Sequence, residues 1–326
     1  MHLITAQNLT KEFNIIQKNR GISGALKNLF ITQKNLIKAV DNISFTIDKR
    51  EIVGFIGPNG AGKSTTIKMM SGILTPTSGE IAINGLSPTK ERKKVVQKIG
   101  VVFGQRSQLY WDLRLGESFE LLRRIYRVSE AQYNITMSNL DQILHIKDII
   151  DIPVRQLSLG QRMRGELAAS MLHSPEILFL DEPTIGLDID VKYSIQNFIK
   201  EINKKYKTTV ILTTHDLSDI QSLCRRVIII NKGNIIYDSP LEEIIKNISP
   251  FRILIIDFYQ DAPKIIHDKA TIIKAEDQRI YIKFDRSKIN AADLISDISK
   301  KYTIRDLTLE EIGIDEVIRQ IYHQCK

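Results

Sequence analysis

The stretch Gly57-Pro58-Asn59-Gly60-Ala61-Gly62-Lys63-Ser64-Thr65 constrains this chain more than any other. It fits Gly-x-x-x-x-Gly-Lys-Ser/Thr, and its flanks are those such a loop requires: Glu51 to Ile56 reads as a buried strand and Thr66 to Met70 as a helix. A strand, a glycine-rich turn and a helix N-terminus bring backbone N–H groups round a polyphosphate, and the helix dipole favours the negative charge. Lys63 then reaches the terminal phosphates and the Ser64 hydroxyl ligates Mg²⁺. A glycine-rich turn with a chance lysine would not need the strand and helix on either side. The stretch is expected to bind nucleotide phosphates.

A chain of 326 residues, 43% apolar, can fill the core of one large domain and a smaller one. Its longest apolar runs, such as Ile177 to Leu180 and Val227 to Ile230, are strand-length. They fall far short of the ~20 residues a spanning helix needs, so no membrane crossing is expected. The opening residues Leu3-Ile4-Thr5-Ala6 read as a strand rather than a secretory signal. Cys224 and Cys325 are widely spaced, which suits a reducing cytosol better than a disulfide or metal framework.

The net charge of +8 fits nucleic acid, anionic lipid or plain solubility, but it is unevenly spread. From Asn14 to Lys38 the chain carries Lys18, Arg20, Lys27, Lys34 and Lys38 and no acidic residue. Within this insert Ile22, Ala25, Leu26, Leu29 and Phe30 fall on one side of a helix. Such a helix packs on its own domain or touches lipid headgroups or a membrane partner.

Strands are expected over Leu3 to Phe13, Ile37 to Ile47, Gly79 to Gly85 and Ile99 to Phe103, followed by a helical insert over about 106–165. Alternation then returns: a strand at Glu176 to Leu180, a helix near Val191 to Tyr206, a strand at Thr208 to Thr213, a helix at Leu217 to Arg225 and a strand at Val227 to Ile230. This order predicts an α/β core, a mostly parallel sheet with helices on both faces. Past Pro240 the pattern starts afresh. Strands at Arg252 to Tyr259, Thr271 to Ala275, Arg279 to Asp285 and Thr303 to Leu307 alternate with helices at Ala262 to His267 and Ala291 to Tyr302, and a last helix covers Ile314 to His323. The order β-α-β-β-α-β predicts a small α+β ferredoxin-like domain, with a regulatory or dimerisation role by default. The expected division is 1–240 and 241–326.

Ile177 to Leu180 is an apolar strand that ends in Asp181 and Glu182. The first carboxylate can order Mg²⁺ and the second can polarise an attacking water. Before that strand comes Leu157-Ser158-Leu159-Gly160-Gln161. Here the chain resembles the ATP-binding-cassette (ABC) family, whose signature is Leu-Ser-Gly-Gly-Gln. The resemblance covers roughly Leu3 to Pro240, with the other elements in family order: Gln105 as the Q-loop glutamine, Asp181 and Glu182 as the Walker B pair, Gly186-Leu187-Asp188 as the D-loop and His215 as the switch histidine. Phe13 stands where the adenine-stacking aromatic belongs.

The resemblance implies a P-loop NTPase with an antiparallel β subdomain and a helical subdomain. It implies ATP hydrolysis by two cassettes that sandwich two ATP molecules. One phosphate loop, Gly57 to Thr65, would face the partner's signature with its Ser158, Gly160 and Gln161. Lys63, Glu182 as general base, His215 as γ-phosphate sensor and Gln105 would be catalytic, Ser64, Gln105 and Asp181 would serve Mg²⁺, and Asp188 would link the two sites. Leu159 departs from the signature, placing a side chain where the family has glycine. Trp111 beside Tyr110 is an anchor for a membrane partner or part of the core.

A lone cassette with a fused C-terminal α/β domain and Thr184-Ile185-Gly186-Leu187-Asp188 is similar to daunorubicin-resistance-type and sodium- or bacitracin-exporter ATPases. That implies a separate multispanning permease, a second cassette, a place on the cytoplasmic face of the membrane and export of a drug, lipid or other small molecule. The alternatives are an importer ATPase and a soluble ABC ATPase acting on ribosome or nucleic acid. No aromatic-interleaved basic track supports a nucleic-acid partner.

Overall fold

The computed structural model describes residues 2–17, 33–104, 106–248, 251–263, 265–311 and 314–324. The basic insert does not part the first two strands. β1 (Ile4–Gln17) and β2 (Gln33–Ile47) are each longer than expected and pair antiparallel from Ile4 opposite Ile47 to Gln17 opposite Gln33. The helix expected from Ile22 to Phe30 lies outside the described residues. β3 (Ile52–Ile56) begins a second sheet, and α1 (Lys63–Met70) follows the glycine-rich turn. β4 (Ser78–Ile83) returns to β1, giving the order β2-β1-β4.

After α2 (Arg92–Val96) and β5 (Ile99–Phe103) comes the helical stretch: α3 (Leu115–Tyr126), α4 (Glu130–Leu144), a 3₁₀ turn at Val154–Gln156 and α5 (Leu159–Met171). Alternation then resumes with β6 (Ile177–Asp181), α6 (Ile189–Tyr206), β7 (Thr209–Thr213), α7 (Leu217–Leu223), β8 (Arg226–Asn231) and β9 (Asn234–Pro240). The second sheet has the order β5-β6-β7-β3-β8-β9, with β5 through β8 paired in parallel. β6, β7 and β8 are buried along nearly their whole length, which is why they read as unbroken apolar runs. Ile67, Met69 and Met70 of α1 join Phe45, Phe55, Ile81 and Ile230 in one core between the sheets. Phe45 meets Phe55 edge-on at 5.5 Å.

Helix starts follow from side-chain caps. Ser129, Ser158 and Asp188 accept hydrogen bonds from Gln132, Gln161 and Val191 N–H groups, and Ser158 forms a full capping box with Gln161. α5 lies close against β5 because Gly100 has no side chain: a Cβ there would sit 2.5 Å from the Ser170 carbonyl oxygen.

The chain divides into two units, Met1–Ser239 and Pro240–Lys326. The second contains α8 (Leu241–Ile248), β10 (Phe251–Phe258), β11 (Ala270–Glu276), β12 (Arg279–Asp285), α9 (Ala291–Ser299), β13 (Ile304–Glu311) and α10 (Ile314–Gln324). Its sheet order is β11-β12-β10-β13 with every pair antiparallel, the strand order of a ferredoxin-like fold. The helix expected over Ala262 to His267 is not there among the described residues. Pro263 interrupts a segment too short to nucleate one, and Ala262 N–H instead donates to the Asp277 carbonyl at 2.7 Å. Ala262 and Ile265 still pack on the core. α8 was not expected, although Leu241, Ile244, Ile245 and Ile248 follow helical spacing with Glu242 and Glu243 in the first turn.

Gly100→Ala should push α5 off β5 and cost about 1–3 kcal/mol by overpacking. A lowered urea midpoint of the larger unit by circular dichroism is the expected result, and an unchanged one would show that the contact yields.

Candidate active site

Two glycines shape the phosphate loop. A Cβ on Gly57 would lie 2.3 Å from the Ile230 carbonyl oxygen of β8. Gly62, with φ of 111°, would place a Cβ 2.5 Å from the Ala39 carbonyl oxygen of β2. Between them Ala61 N–H donates to Pro58 O at 3.1 Å, and α1 opens with Lys63. The buried Lys63 ammonium donates to Gly57 O at 2.6 Å and Pro58 O at 3.1 Å. Burial pushes its pKa down, and the carboxylates of Glu182 and Asp181 offset part of that shift. The cation is held on the loop's own carbonyls.

β6 ends in Asp181, whose Oδ1 accepts from the Ser64 hydroxyl at 2.9 Å and the Thr213 hydroxyl at 2.6 Å. Glu182 follows with φ of 55°, and its N–H donates to Thr213 O at 3.0 Å. His215 Nδ1 lies 3.4 Å from Glu182 Oε1. A cleft of 760 Å³ opens over these groups, lined by Gly57, Pro58, Asn59, Gly60, Ser64, Lys68, Phe103, Gly104, Arg106, Asp181, Glu182, Ile185 and His215. The donors suit a hard cation, since Ser64 and Asp181 offer oxygen. Among the described residues no three His, Cys, Asp or Glu side chains gather into a metal site. A cation here would take its remaining oxygens from phosphate and water. Gln105 lies outside the described residues, between Gly104 and Arg106, which do line the cleft.

The loops that carry Glu182 and His215 share one buried anchor. Asp219 of α7 is fully buried and accepts from Thr184 Oγ1 at 2.5 Å, Gln196 Nε2 at 2.7 Å and Thr214 Oγ1 at 3.3 Å. Lys192 Nζ approaches it at 3.5 Å and bonds Asp216. Thr184 stands two residues after Glu182, and Thr214 directly precedes His215.

The chain as a whole has known relatives. The sequence model of the family described as "ABC transporter" matches residues 40–185. The ABC transporter ATP-binding protein NatA of Bacillus subtilis is 34% identical over 215 residues, covering 66% of this chain and 87% of the relative. The methionine import ATP-binding protein MetN 1 of Oenococcus oeni is 31% identical over 290 residues, covering 85% and 81%. The chain belongs to the ABC transporter ATP-binding proteins. Among solved structures, the dimeric ATP-binding cassette MJ0796 bound to ADP and Pi superposes with a TM-score of 0.61 at 26% identity, over 73% of this chain and 98% of that one. This chain is an ABC ATPase.

The residues expected to form the signature are held by their own local contacts. Ser158 N–H donates to Gln161 Oε1 at 2.9 Å, Gln161 N–H donates to Ser158 Oγ at 3.2 Å, and Gly160 packs on Val191 of α6. Asp188 accepts from Val191 N–H at 2.9 Å. Leu159 is half-exposed and touches Gly186, its Cδ2 being 3.4 Å from where a Cβ there would be. Neither Ser158, Gly160, Gln161 and Asp188 nor Phe13, Ala61, Gly62, Lys63 and Thr65 line the cleft. Phe13 pairs with Ile37 on β1 and β2, with Lys11 Nζ 5.3 Å from its ring centre. Tyr110 and Trp111 are exposed, so Trp111 is not core. Sequence reasoning missed Thr213, Arg106 and Asp219; Thr213 was findable only as the end of the strand beside β6.

Asp219→Ala should leave the Thr184 and Gln196 donors buried without partners, costing about 2–4 kcal/mol. Asp219→Asn, which keeps an acceptor, should cost less. Thermal unfolding of both variants checks the order.

Proposed function

We propose that two copies of the cassette close head to tail on two ATP molecules and that this closure drives a separate multispanning permease for export of a drug, lipid or other small molecule. The supporting observation is the separation within one chain: the capped helix start at Ser158 and the D-loop residue Asp188 do not line the cleft over Gly57 to Ser64. A second copy can bring the two halves together. The dimeric structure of MJ0796 accords with this.

In the closed pair, backbone N–H groups of Gly57 to Thr65 bind the phosphates, and Lys63 leaves its carbonyls to pair with them. Ser158, Gly160 and Gln161 of the partner copy clamp the γ-phosphate from the other side. Ser64 and Asp181, with Gln105, would hold Mg²⁺, which when bound would supply charge neutralisation for the phosphates. Glu182 takes a proton from the attacking water as its oxygen bonds the γ-phosphorus. The β–γ bridging bond breaks to give ADP and phosphate. His215 bonds the γ-phosphate and registers its loss. Asp188 couples the sites across the interface, Phe13 contacts adenine, and the pair sits on the cytoplasmic face of the membrane through its permease. The second unit, 241–326, takes a regulatory or dimerisation role.

Export rests on the likeness at Thr184 to Asp188 and on the second unit that follows the single cassette. Import is the second reading, because the match to MetN 1 covers 85% of the chain and so reaches past Met1–Ser239.

Glu182→Gln should lower kcat by about 100-fold or more while ATP still binds, leaving an ATP-bound dimer by light scattering. Wild-type turnover would remove Glu182 from the role. The tagged variant, purified with ATP from solubilised membranes of its host, should bring a multispanning protein with it. That protein alone supports export, an added extracytoplasmic solute-binding protein supports import, and ribosomes or nucleic acid without a membrane protein would overturn the transporter reading.

A further inference from the structure

One buried carboxylate has no part in the site above. Glu166 lies two turns into α5 and is 4% exposed. Its partners are neutral donors on the stretch just after Gln105. The Ser107 hydroxyl donates to Oε1, and Gln108 N–H donates to Oε2 at 3.2 Å. Gln108 Nε2 donates to the Glu166 backbone carbonyl at 3.1 Å. Beside it Gly165 lets the chains meet: a Cβ there would lie 2.9 Å from Leu115 Cδ1 and 3.2 Å from Leu109 Cδ1.

The same stretch is gripped at its other end. Tyr110 N–H donates to Ser118 Oγ of α3 at 3.2 Å, and Arg155 N–H donates to Trp111 O at 3.0 Å. Its tip carries the two exposed aromatics Tyr110 and Trp111. Burying a carboxylate costs several kcal/mol unless its hydrogen bonds repay it, and an apolar side chain would fill this place without that cost. Burial also pushes the Glu166 pKa up, against hydrogen bonds from Ser107 and Gln108 that pull it down. What the carboxylate adds over an apolar filler is a directional tie between α5 and residues 107–108.

We propose that Glu166 is a positioning residue that locks residues 107–111 to the signature helix α5, so that the Tyr110–Trp111 tip and the Ser158–Gln161 helix start move as one body. This rests on the reading of Ser158 to Gln161 as the partner-facing phosphate clamp. A displacement at the tip then reappears at the clamp through a rigid helix, and ATP closure at the clamp reappears at the tip.

The test is a double-mutant cycle on the full chain. Glu166→Ala and Ser107→Ala should each lower ATPase kcat about tenfold with KM within about twofold, and the double variant should be no worse than either. Glu166→Gln should recover most of the rate, because its amide can donate to Ser107 Oγ while its carbonyl accepts from Gln108 N–H. Ser107→Ala leaves α5 intact and serves if Glu166→Ala fails to fold. Hydrogen exchange supplies a readout independent of turnover. On adding ATP and Mg²⁺, peptides covering 107–111 and 158–162 should gain protection together in the unsubstituted chain, whereas 107–111 should stop responding in Ser107→Ala. Wild-type kcat in both single variants, additive losses, or an unchanged exchange response in Ser107→Ala would overturn the proposal. Turnover that is independent of protein concentration would instead count against the two-copy reading.

Discussion

Close approach of backbone to backbone at Gly57 and Gly62 governs where the other elements can lie. One presses on β8 and the other on β2, so the phosphate loop is wedged between a strand of each sheet. Side chains at either position would part the sheets from the loop before any nucleotide arrived. The core that surrounds α1 is the apolar counterpart of the same arrangement, because Ile67, Met69 and Met70 can reach both sheets only if the loop holds the helix between them.

The carboxylates of the cleft are placed by strand register. β6 pairs with β7 so that Asp181 faces Thr213, and the Thr213 hydroxyl meets the same carboxylate oxygen as Ser64. Glu182 then turns into the left-handed region, and its N–H is taken up by Thr213. Asp219 fastens the far side of both loops. A carboxylate is suited to that place because it accepts from several hydroxyl and amide donors at once, where an amide would have to offer one N–H against them.

Much of this was legible in the sequence because it depends on neighbours along the chain. The glycine-rich loop, the Asp181–Glu182 strand end and the capped start at Ser158 announce themselves within a few residues, and so do the apolar parallel strands. What escaped depends on pairing at long range. Thr213 and Asp219 look like an ordinary strand end and an ordinary helical acid until β6 and α6 are set beside them. Glu166 reads as one more helical residue until residues 107–108 are set beside it. In the second unit the strand order followed from the pattern, but Ala262 to His267 did not form its helix, since the spacing of apolar residues in so short a segment satisfies packing without helical hydrogen bonds. The Pro240 boundary hid α8 because proline reads as an end as readily as a beginning.

The pairing of Gln17 with Gln33 has a consequence for how this chain can change. Two strand ends held side by side fix both anchor points of the 18–32 stretch. With both ends fixed by that pairing, residues added between them need not shift the register of β1 on β2. The phosphate loop, set against β2 at Ala39, would feel none of them. The interval between Gln17 and Gln33 is therefore an address at which a lineage, or an engineer inserting a reporter, can write new sequence without rewriting the ATPase.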